Sequence, residues 1–262
     1  MEKQTKIIVN TNQKGGVGKT TTSASMMAGL KKRNFSVLGI DLDSQCNLSY
    51  VLKADKTQPS IKDVFRDDCE IEEAIQSTSF GDLIQSHKGL DNAMNDLDAI
   101  EQVYKLSEVL KDIKGTYDFI IIDTPPALSA LTTNALVCAD YVVIPVQGDS
   151  FSLQGAEALS KTINGIKRVN PEIKISGILL VRYKSRESLS KLMNEQFNKF
   201  AEILQTKVFK TAIREAVVIK ESQLRRESIF DYAAKSGVAE DYDDFIDELL
   251  SDINGNGEEV NG

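Results

Sequence analysis

The 262-residue chain has few residues of the kinds that bind transition metals or form disulfides. It has one histidine, His87, and three cysteines that fall in no C-x-x-C or metal-binding spacing, namely Cys46, Cys69 and Cys138. This scarcity excludes most zinc and iron–sulfur sites and fits a reducing compartment. Cys46 has no histidine near it in sequence to activate it, so we interpret it as an unreactive thiol.

Long apolar runs and flexible linkers are also missing. No apolar run approaches the roughly 20 residues that a bilayer-spanning helix needs, and Met1 to Lys6 leads directly into a strand rather than forming a signal peptide. We therefore expect a cytoplasmic protein. Because no Pro/Gly/Ser-rich stretch divides the chain, we expect one domain over residues 1–253, followed by a flexible acidic tail over 254–262.

A phosphate-binding loop is the most informative feature that is present. The common pattern is G-x-x-x-x-G-K-[ST], in which backbone N–H groups and one lysine surround the phosphates. Here Gln13 replaces the first glycine, and Lys14 adds a second lysine five residues before Lys19. Lys14 is better placed for a nucleotide held by a facing subunit than for its own, so the loop predicts a nucleotide-dependent dimer. The expected ATP-binding residues are Lys14, Gly15, Gly16, Val17, Gly18, Lys19, Thr20 and Thr21.

Strands and helices alternate along the chain. Short apolar runs predict strands at residues 6–10, 35–40, 117–122, 141–146 and 173–181, and the apolar periodicity predicts a helix from Thr20 to Arg33. The alternation predicts an α/β fold with a doubly wound, mainly parallel sheet, helices on both faces and ligands at the carboxyl ends of the strands. Between the strands we expect one or two short helices within 60–77 and a longer helix over 90–114.

Acidic residues follow two of the predicted strands. Asp123 is expected to hold Mg²⁺ through water while the Thr20 hydroxyl binds the ion directly. Asp43 is the preferred candidate for positioning the attacking water, because it follows a neighbouring strand and can face the γ-phosphate, and Asp41 is its competitor. The alternative is that these aspartates only cap helices.

Three segments together resemble the signatures of ParA/Soj-type DNA partition ATPases, members of the MinD/ParA superfamily with a deviant Walker A loop. They are residues 11–21 (TNQKGGVGKTT), 40–45 (IDLDSQ) and 117–126 (YDFIIIDTPP), and the similarity continues through residues 142–147, 177–180 and 208–215. The resemblance implies an ATP-sandwiched homodimer that binds DNA without sequence preference and is released when a ParB-type centromere-binding partner stimulates its slow ATP hydrolysis. It would associate with the nucleoid when ATP is bound.

By matching position, the resemblance makes Lys14 the lysine that crosses the dimer and Asp43 the catalytic carboxylate. Lys19 would contact the β/γ-phosphates, and Thr20 and Asp123 would form the Mg²⁺ site. The chain departs from the family's D-x-D-P-Q-G-N pattern, because Ser44 and Cys46 replace its proline and glycine. A less rigid turn there could slow hydrolysis.

DNA binding must be reconciled with a net charge of −8. Residues 1–160 hold 15 Lys/Arg against 22 Asp/Glu, residues 161–235 hold 16 against 8, and residues 236–262 hold none against 9. The basic charge is therefore concentrated in the second stretch. Its candidates for phosphate contacts are Arg182, Lys184, Arg186, Lys220, Arg225 and Arg226. Of these, only Arg186 also resembles a DNA-contacting arginine of the Soj branch; solvated surface charge is the alternative for every one.

Two other functions remain open. A MinD-like or ParA-like spatial regulator would use the same loop to position a protein complex rather than DNA. The expected C-terminal helix, Val238 to Ile253, is acidic, so it is expected to pack on the domain rather than bind a membrane. A small-molecule enzyme, either an iron-protein reductase of the nitrogenase type or a dethiobiotin-synthase-like ligase, is less favoured because neither cluster cysteines nor a substrate pocket can be identified.

Overall fold

A computed structural model describes residues 4–148, 153–183 and 191–255. Within them, eight strands form one sheet in the order β3-β4-β2-β5-β1-β6-β7-β8, and all neighbours run parallel except β3 and β4. The strands are β1 Lys6–Asn10, β2 Val37–Asp41, β3 Ile75–Thr78, β4 Gly81–Ile84, β5 Phe119–Asp123, β6 Tyr141–Gln147, β7 Lys174–Tyr183 and β8 Ile213–Arg214. The predicted doubly wound, mainly parallel sheet is confirmed.

Helices cover both faces of this sheet. They are α1 Lys19–Lys32, α2 Asn47–Val51, α3 Ile61–Phe65, α4 Leu90–Asp96, α5 Glu101–Val109, α6 Ala130–Cys138, α7 Leu153–Ile166, α8 Lys191–Leu204, α9 Val217–Arg225, α10 Ile229–Tyr232 and α11 Gly237–Ile253. Two apolar cores result because successive strand residues point to opposite faces. In β1, for example, Ile7 and Val9 belong to one core and Ile8 belongs to the other.

The expected single helix over residues 90–114 is wrong, because the structure has two helices there. Asp98 explains the break: its Oδ1 accepts hydrogen bonds from the N–H groups of Ile100 (2.7 Å) and Glu101 (2.9 Å). These bonds cap the start of α5 and compete with a continuous helix. Ile100 is 69% exposed at this break.

The region 60–77 also differs from its prediction. The structure has the short helix α3 and a 3₁₀ turn at Ile71–Ala74, as expected, but the segment then enters β3, the edge strand beside β4. A four-residue strand with polar residues at most positions gave no apolar alternation that the sequence could reveal.

The acidic helix α11 packs against α1, as predicted, and buries Val238, Tyr242, Phe245, Ile246 and Leu249. Basic residues at the end of α1 meet its acidic surface: Arg33 pairs with Asp243 at 2.8 Å and with Asp247 at 2.6 Å. The helix therefore contributes both apolar and charged contacts to the domain. Of the predicted acidic tail, residues 256–262 lie outside the described residues.

Candidate functional site

The predicted phosphate-binding loop connects β1 to α1 at the carboxyl edge of the sheet. Gly16 and Gly18 adopt left-handed backbone conformations, with φ of 75° and 83°. Glycine reaches this region without the steric cost that a side chain imposes. Gly18 immediately precedes α1, so the N–H groups of the first helical turn face the loop and provide an anion-binding site.

The two lysines of the loop lie in different environments. Lys19 is buried, and its ammonium donates to the carbonyl oxygens of Asn12 (3.1 Å) and Lys14 (3.2 Å). Burial lowers the pKa of Lys19, while the charges of Asp123 and Asp43 oppose that shift. Lys14 is exposed, and its backbone N–H donates to the Asn12 side chain at 3.0 Å. Lys19 therefore lies inside the cradle and Lys14 at its rim.

Asp123 ends the central strand β5 and contacts the first turns of α1. Its Oδ2 accepts from the Thr20 hydroxyl at 2.7 Å and its Oδ1 accepts from the Ser23 hydroxyl at 2.9 Å. Burial raises the pKa of Asp123 to about 7, with a further contribution from the charge of Asp41. A carboxylate and a hydroxyl in contact at a phosphate loop fit the oxygen ligands that Mg²⁺ prefers, so Thr20 and Asp123 could hold the ion.

The two aspartates near the end of β2 have separate environments. Asp41 is fully buried: its Oδ2 accepts from the N–H and the hydroxyl of Ser49, at 2.8 and 2.7 Å, and its Oδ1 accepts from the N–H of Asp43. Burial raises the pKa of Asp41 to about 6. Asp43 instead borders the cleft above the loop, and its Oδ1 accepts from the N–H of Gln45. The geometry therefore favours Asp43 over Asp41 for contact with a ligand.

Cys46, at the position where the family pattern has glycine, adopts a left-handed conformation with φ of 57° and ψ of 35°. A residue with a Cβ pays about 1–2 kcal/mol for this conformation, which explains why glycine suits the position. The thiol donates to the carbonyl oxygen of Ser44 at 3.4 Å, and burial raises its pKa, which keeps it protonated. This environment agrees with the unreactive thiol that the sequence led us to expect.

A cavity of about 560 Å³ joins these elements. Gly15, Gly16, Gly18, Lys19, Thr20, Thr21 and Asp43 line one side, as the loop motif predicts. The other walls come from residues that sequence reasoning did not assign to the nucleotide site: Gln45, Asn47, Tyr50, Val51, Pro126, Arg182, Lys220, Gln223 and Leu224. Ser23, which also was missed, lies one helical turn after Lys19, and that spacing was the available signal.

Four of the six predicted DNA-binding residues lie in the described part of the chain, and their surroundings differ. Arg182, at φ of 55° in an irregular part of β7, lines the cavity together with Lys220. The guanidinium of Arg225 lies 5.5 Å from the ring centre of Tyr232, and that of Arg226 lies 4.9 Å from the ring centre of Tyr50. Lys184 and Arg186 lie outside the described residues.

Two structural findings bear on the alternative functions. The described residues contain no group of three or more His, Cys, Asp or Glu side chains that could hold a metal ion together. In the same part of the chain, no helix has the length and apolarity required to cross a membrane.

Two family models match the chain. A model described as an AAA domain matches residues 5–175. A second, described as 4Fe-4S iron sulfur cluster binding proteins of the NifH/frxC family, matches residues 130–256. The segment matched by the second model contains a single cysteine, Cys138, whose thiol donates to the Ala135 carbonyl and whose pKa is raised by burial to about 12. These residues do not fit an iron–sulfur cluster, so the match indicates a shared fold rather than a shared cofactor.

Among solved structures, cobyrinic acid a,c-diamide synthase from Mycobacterium smegmatis, with bound ADP and magnesium, matches with a TM-score of 0.82 and 29% identity over 99% of both chains. McdA from Cyanothece matches with a TM-score of 0.79 and 26% identity, over 94% of this chain and all of the other. The septum site-determining protein MinD from Pyrococcus horikoshii, complexed with Mg-ADP, matches with a TM-score of 0.75 and 25% identity over 97% and 98% of the two chains.

Curated relatives give the most specific likeness. The sporulation initiation inhibitor protein Soj of Bacillus subtilis is 36% identical over 94% of this chain and 98% of its own. The chromosome partitioning protein ParA of Myxococcus xanthus is 32% identical over 90% of this chain and 85% of its own. With the loop, the strand-end aspartates and the sheet in the arrangement described above, the chain belongs to the ParA/Soj family of partition ATPases, within the ParA/MinD superfamily.

Proposed function

We propose that this ParA-type ATPase partitions a plasmid or chromosome by switching between two states. With Mg-ATP it forms a sandwich dimer that binds DNA without sequence preference, and hydrolysis stimulated by a ParB-type partner releases it. Its location is then the cytoplasm, with nucleoid association in the ATP-bound state. The observation that carries the proposal is the separation of the two loop lysines, one buried in the cradle and one exposed at its rim.

The exposed lysine supports a nucleotide shared between two copies. Gly15 and Gly16 line the cavity, whereas the side chain of Lys14 is exposed beside them. When two copies face each other across their cavities, the Lys14 ammonium of each can reach the phosphates held by the other. A bound triphosphate retains negative charge that Lys19 alone does not neutralise, so a second cation from the partner strengthens the closed dimer.

Hydrolysis requires an in-line water and neutralised phosphate charge. Asp43 borders the cavity, and we assign it the positioning of that water. Thr20 and Asp123 would hold Mg²⁺, which when bound neutralises charge on the phosphate oxygens. Because Lys14 of the partner completes the electrostatics, turnover in a single copy is slow, and an incomplete phosphoryl-transfer site can lose factors of about 10³ to 10⁵.

DNA binding is supported by the excess of eight positive charges in residues 161–235. Arg182 and Lys220 lie at the cavity wall and Arg225 lies exposed at the end of α9, so dimerisation across the cavities would bring two such basic surfaces together. Phosphate contacts of this kind need cations rather than base-reading geometry. Affinity should fall with salt at a log–log slope of about −0.9 per neutralised phosphate.

The test is sedimentation of Lys14→Ala with a non-hydrolysable ATP analogue and Mg²⁺. An ammonium–phosphate contact contributes about 1.5–3 kcal/mol and a dimer contains two, so we expect the dimer dissociation constant to rise by about a hundredfold or more. Lys111→Ala, which removes another exposed lysine, is the control and should dimerise as the wild type does. ATP-dependent dimerisation and DNA binding that survive in Lys14→Ala would refute the shared-nucleotide mechanism.

A second candidate is a spatial regulator that positions a protein complex, favoured by the structural likeness to McdA and MinD. A DNA pull-down at several salt concentrations, with and without ATP, separates the two. ATP-dependent, salt-sensitive retention supports partition of DNA. Recruitment of the ATP-bound protein to anionic vesicles would instead support a MinD-like function, which the acidic surface of α11 opposes because anionic lipid repels it.

A further inference from the structure

Helix α9 is joined by side chains to both segments that face the nucleotide cavity. Gln223 donates through Nε2 to the hydroxyl of Thr21 in α1, at 2.7 Å. One residue past the end of α9, Arg226 donates through Nε to the carbonyl oxygen of Tyr50 in α2, also at 2.7 Å. Thr21 follows the predicted Mg²⁺ ligand Thr20, and α2 follows the turn that carries Asp43. Helix α9 therefore connects the Thr20 end of α1 with α2.

The contact between Arg226 and Tyr50 has two components. Besides the hydrogen bond, the guanidinium lies 4.9 Å from the centre of the Tyr50 ring, which is a cation–π distance. Arg226 is in the left-handed conformation, with φ of 57° and ψ of 49°. This conformation ends α9, and glycine would adopt it at a lower steric cost than arginine.

A chain of backbone hydrogen bonds leads from Tyr50 to the catalytic candidate. The N–H of Tyr50 donates to the carbonyl oxygen of Cys46 at 2.9 Å, and the N–H of Cys46 donates to the carbonyl oxygen of Asp43 at 2.8 Å. Asp41 also accepts hydrogen bonds from the N–H and the hydroxyl of Ser49, the residue before Tyr50. A group that fixes Tyr50 therefore also fixes the turn that carries Asp43.

We propose that Arg226 is a positioning residue for Asp43 rather than a DNA phosphate contact. Its Nε donor and the face of its guanidinium are engaged with Tyr50, and the Nη N–H groups are the donors left for other partners. Holding α2 against the end of α9 keeps the Asp43 turn in the geometry needed to orient water. The proposal rests on the proposed function in one respect, because ATP hydrolysis is the activity that Asp43 positioning would affect.

The test compares Arg226→Ala and Arg226→Lys with Lys235→Ala, which removes an exposed positive charge a short distance along the chain. The first readout is hydrogen exchange of the amides in residues 46–52 without nucleotide. Both Arg226 variants should exchange about three- to tenfold faster there, because a lysine lacks Nε and the planar group that stacks on Tyr50. Lys235→Ala should leave these amides unchanged.

The second readout is steady-state ATP hydrolysis. We expect both Arg226 variants to lower kcat about five- to tenfold with the KM for ATP changed less than about twofold, since the loss concerns the orientation of a catalytic group rather than nucleotide binding. Tyr50→Ala removes the ring but keeps the backbone carbonyl that accepts from Arg226 Nε, so it should give a smaller loss of kcat. Arg226→Ala should cost less in the Tyr50→Ala background than in the wild type, because the ring contact is already absent there.

The third readout is the salt dependence of DNA binding in the ATP state. The log–log slope should match that of the wild type for Arg226→Ala. A slope reduced by about 0.9, with exchange and kcat unchanged, would identify Arg226 as a phosphate contact and overturn the proposal. Unchanged values in all three measurements would overturn it too. If the wild type hydrolyses no ATP, the proposed function fails separately, and normal exchange in Arg226→Ala would then exclude the contact itself.

Discussion

Gly29→Ala tests whether α11 packs on α1. Gly29 lies within α1, where α11 crosses it. A Cβ added at this glycine would come within 2.2 Å of Ile246 Cδ1 and within 3.1 Å of the Phe230 ring. Ile246 is fully buried, so its side chain can move only by displacing other core atoms.

The magnitude follows from two opposing contributions. Replacing glycine by alanine inside a helix stabilises by about 1 kcal/mol. Overpacking a well-packed core costs about 1–3 kcal/mol, and two neighbours must move here, so we take about 2 kcal/mol. The net expectation is a loss of about 1 kcal/mol in the free energy of unfolding. A Cβ added at Gly165, in α7, would have no atom within 4 Å, so Gly165→Ala should instead stabilise by about 0.5–1 kcal/mol.

Urea denaturation measures both variants, with the midpoint and slope fitted together. Ile246→Val provides the rescue, because valine lacks the Cδ1 atom that meets the new Cβ. Gly29→Ala should therefore cost less in the Ile246→Val background than in the wild type. If Gly29→Ala stabilises the protein as much as Gly165→Ala does, α11 does not pack on α1 at this point and the reasoning is refuted.

Two further predictions concern the carboxyl edge of the sheet. The folded-state pKa values of about 6 for Asp41 and about 7 for Asp123 lie above the unfolded value of about 3.9, so the folded state binds more protons. Their contribution to stability is full below about pH 4 and is lost as pH rises towards about 7. Asp123→Asn should therefore flatten this part of the plot of unfolding free energy against pH, measured in EDTA. A plot that matches the wild type would contradict this prediction. At Cys46, φ of 57° predicts that Cys46→Gly is at least as stable as the wild type, whereas Cys46→Val is less stable than Cys46→Gly by about 1–2 kcal/mol or more. Equal thermal stability of those two variants would contradict the strain argument.

The central strands and the phosphate loop were predictable because their signals are local. β1 and the glycines before Lys19 follow one another within about 15 residues, and the apolar runs fix both ends of the strands. The fold and family are confirmed. Asp43 was preferred over Asp41, and only Asp43 lines the cavity. Strand alternation does not separate the two, because residues two apart share a face; the difference arises because β2 ends at Asp41 and Asp43 lies in the turn beyond it. The catalytic role of Asp43 stays a prediction.

The far wall of the cavity was not predictable in the same way. Gln223 contacts Thr21 and Arg226 contacts Tyr50, and no periodicity links residues so far apart in the sequence. The charge of Arg226 gave no sign of its contact with the Tyr50 ring, and its assignment to DNA stays a prediction. The prediction of one helix across Asp98 failed for a local reason, because an acidic cap within an apolar pattern resembles an exposed position of a helix.

The pairing of the central strands limits where this protein can change in length. Asn10 and Asp41 are both level with Asp123 in the sheet, so three polar groups end their strands at one height. One residue inserted within β5 would turn every following side chain to the opposite face and direct the Asp123 carboxylate away from α1. Insertions and deletions within these strands would therefore misplace the polar groups, whereas the loops beyond this line and those at the opposite edge can change in length without moving them.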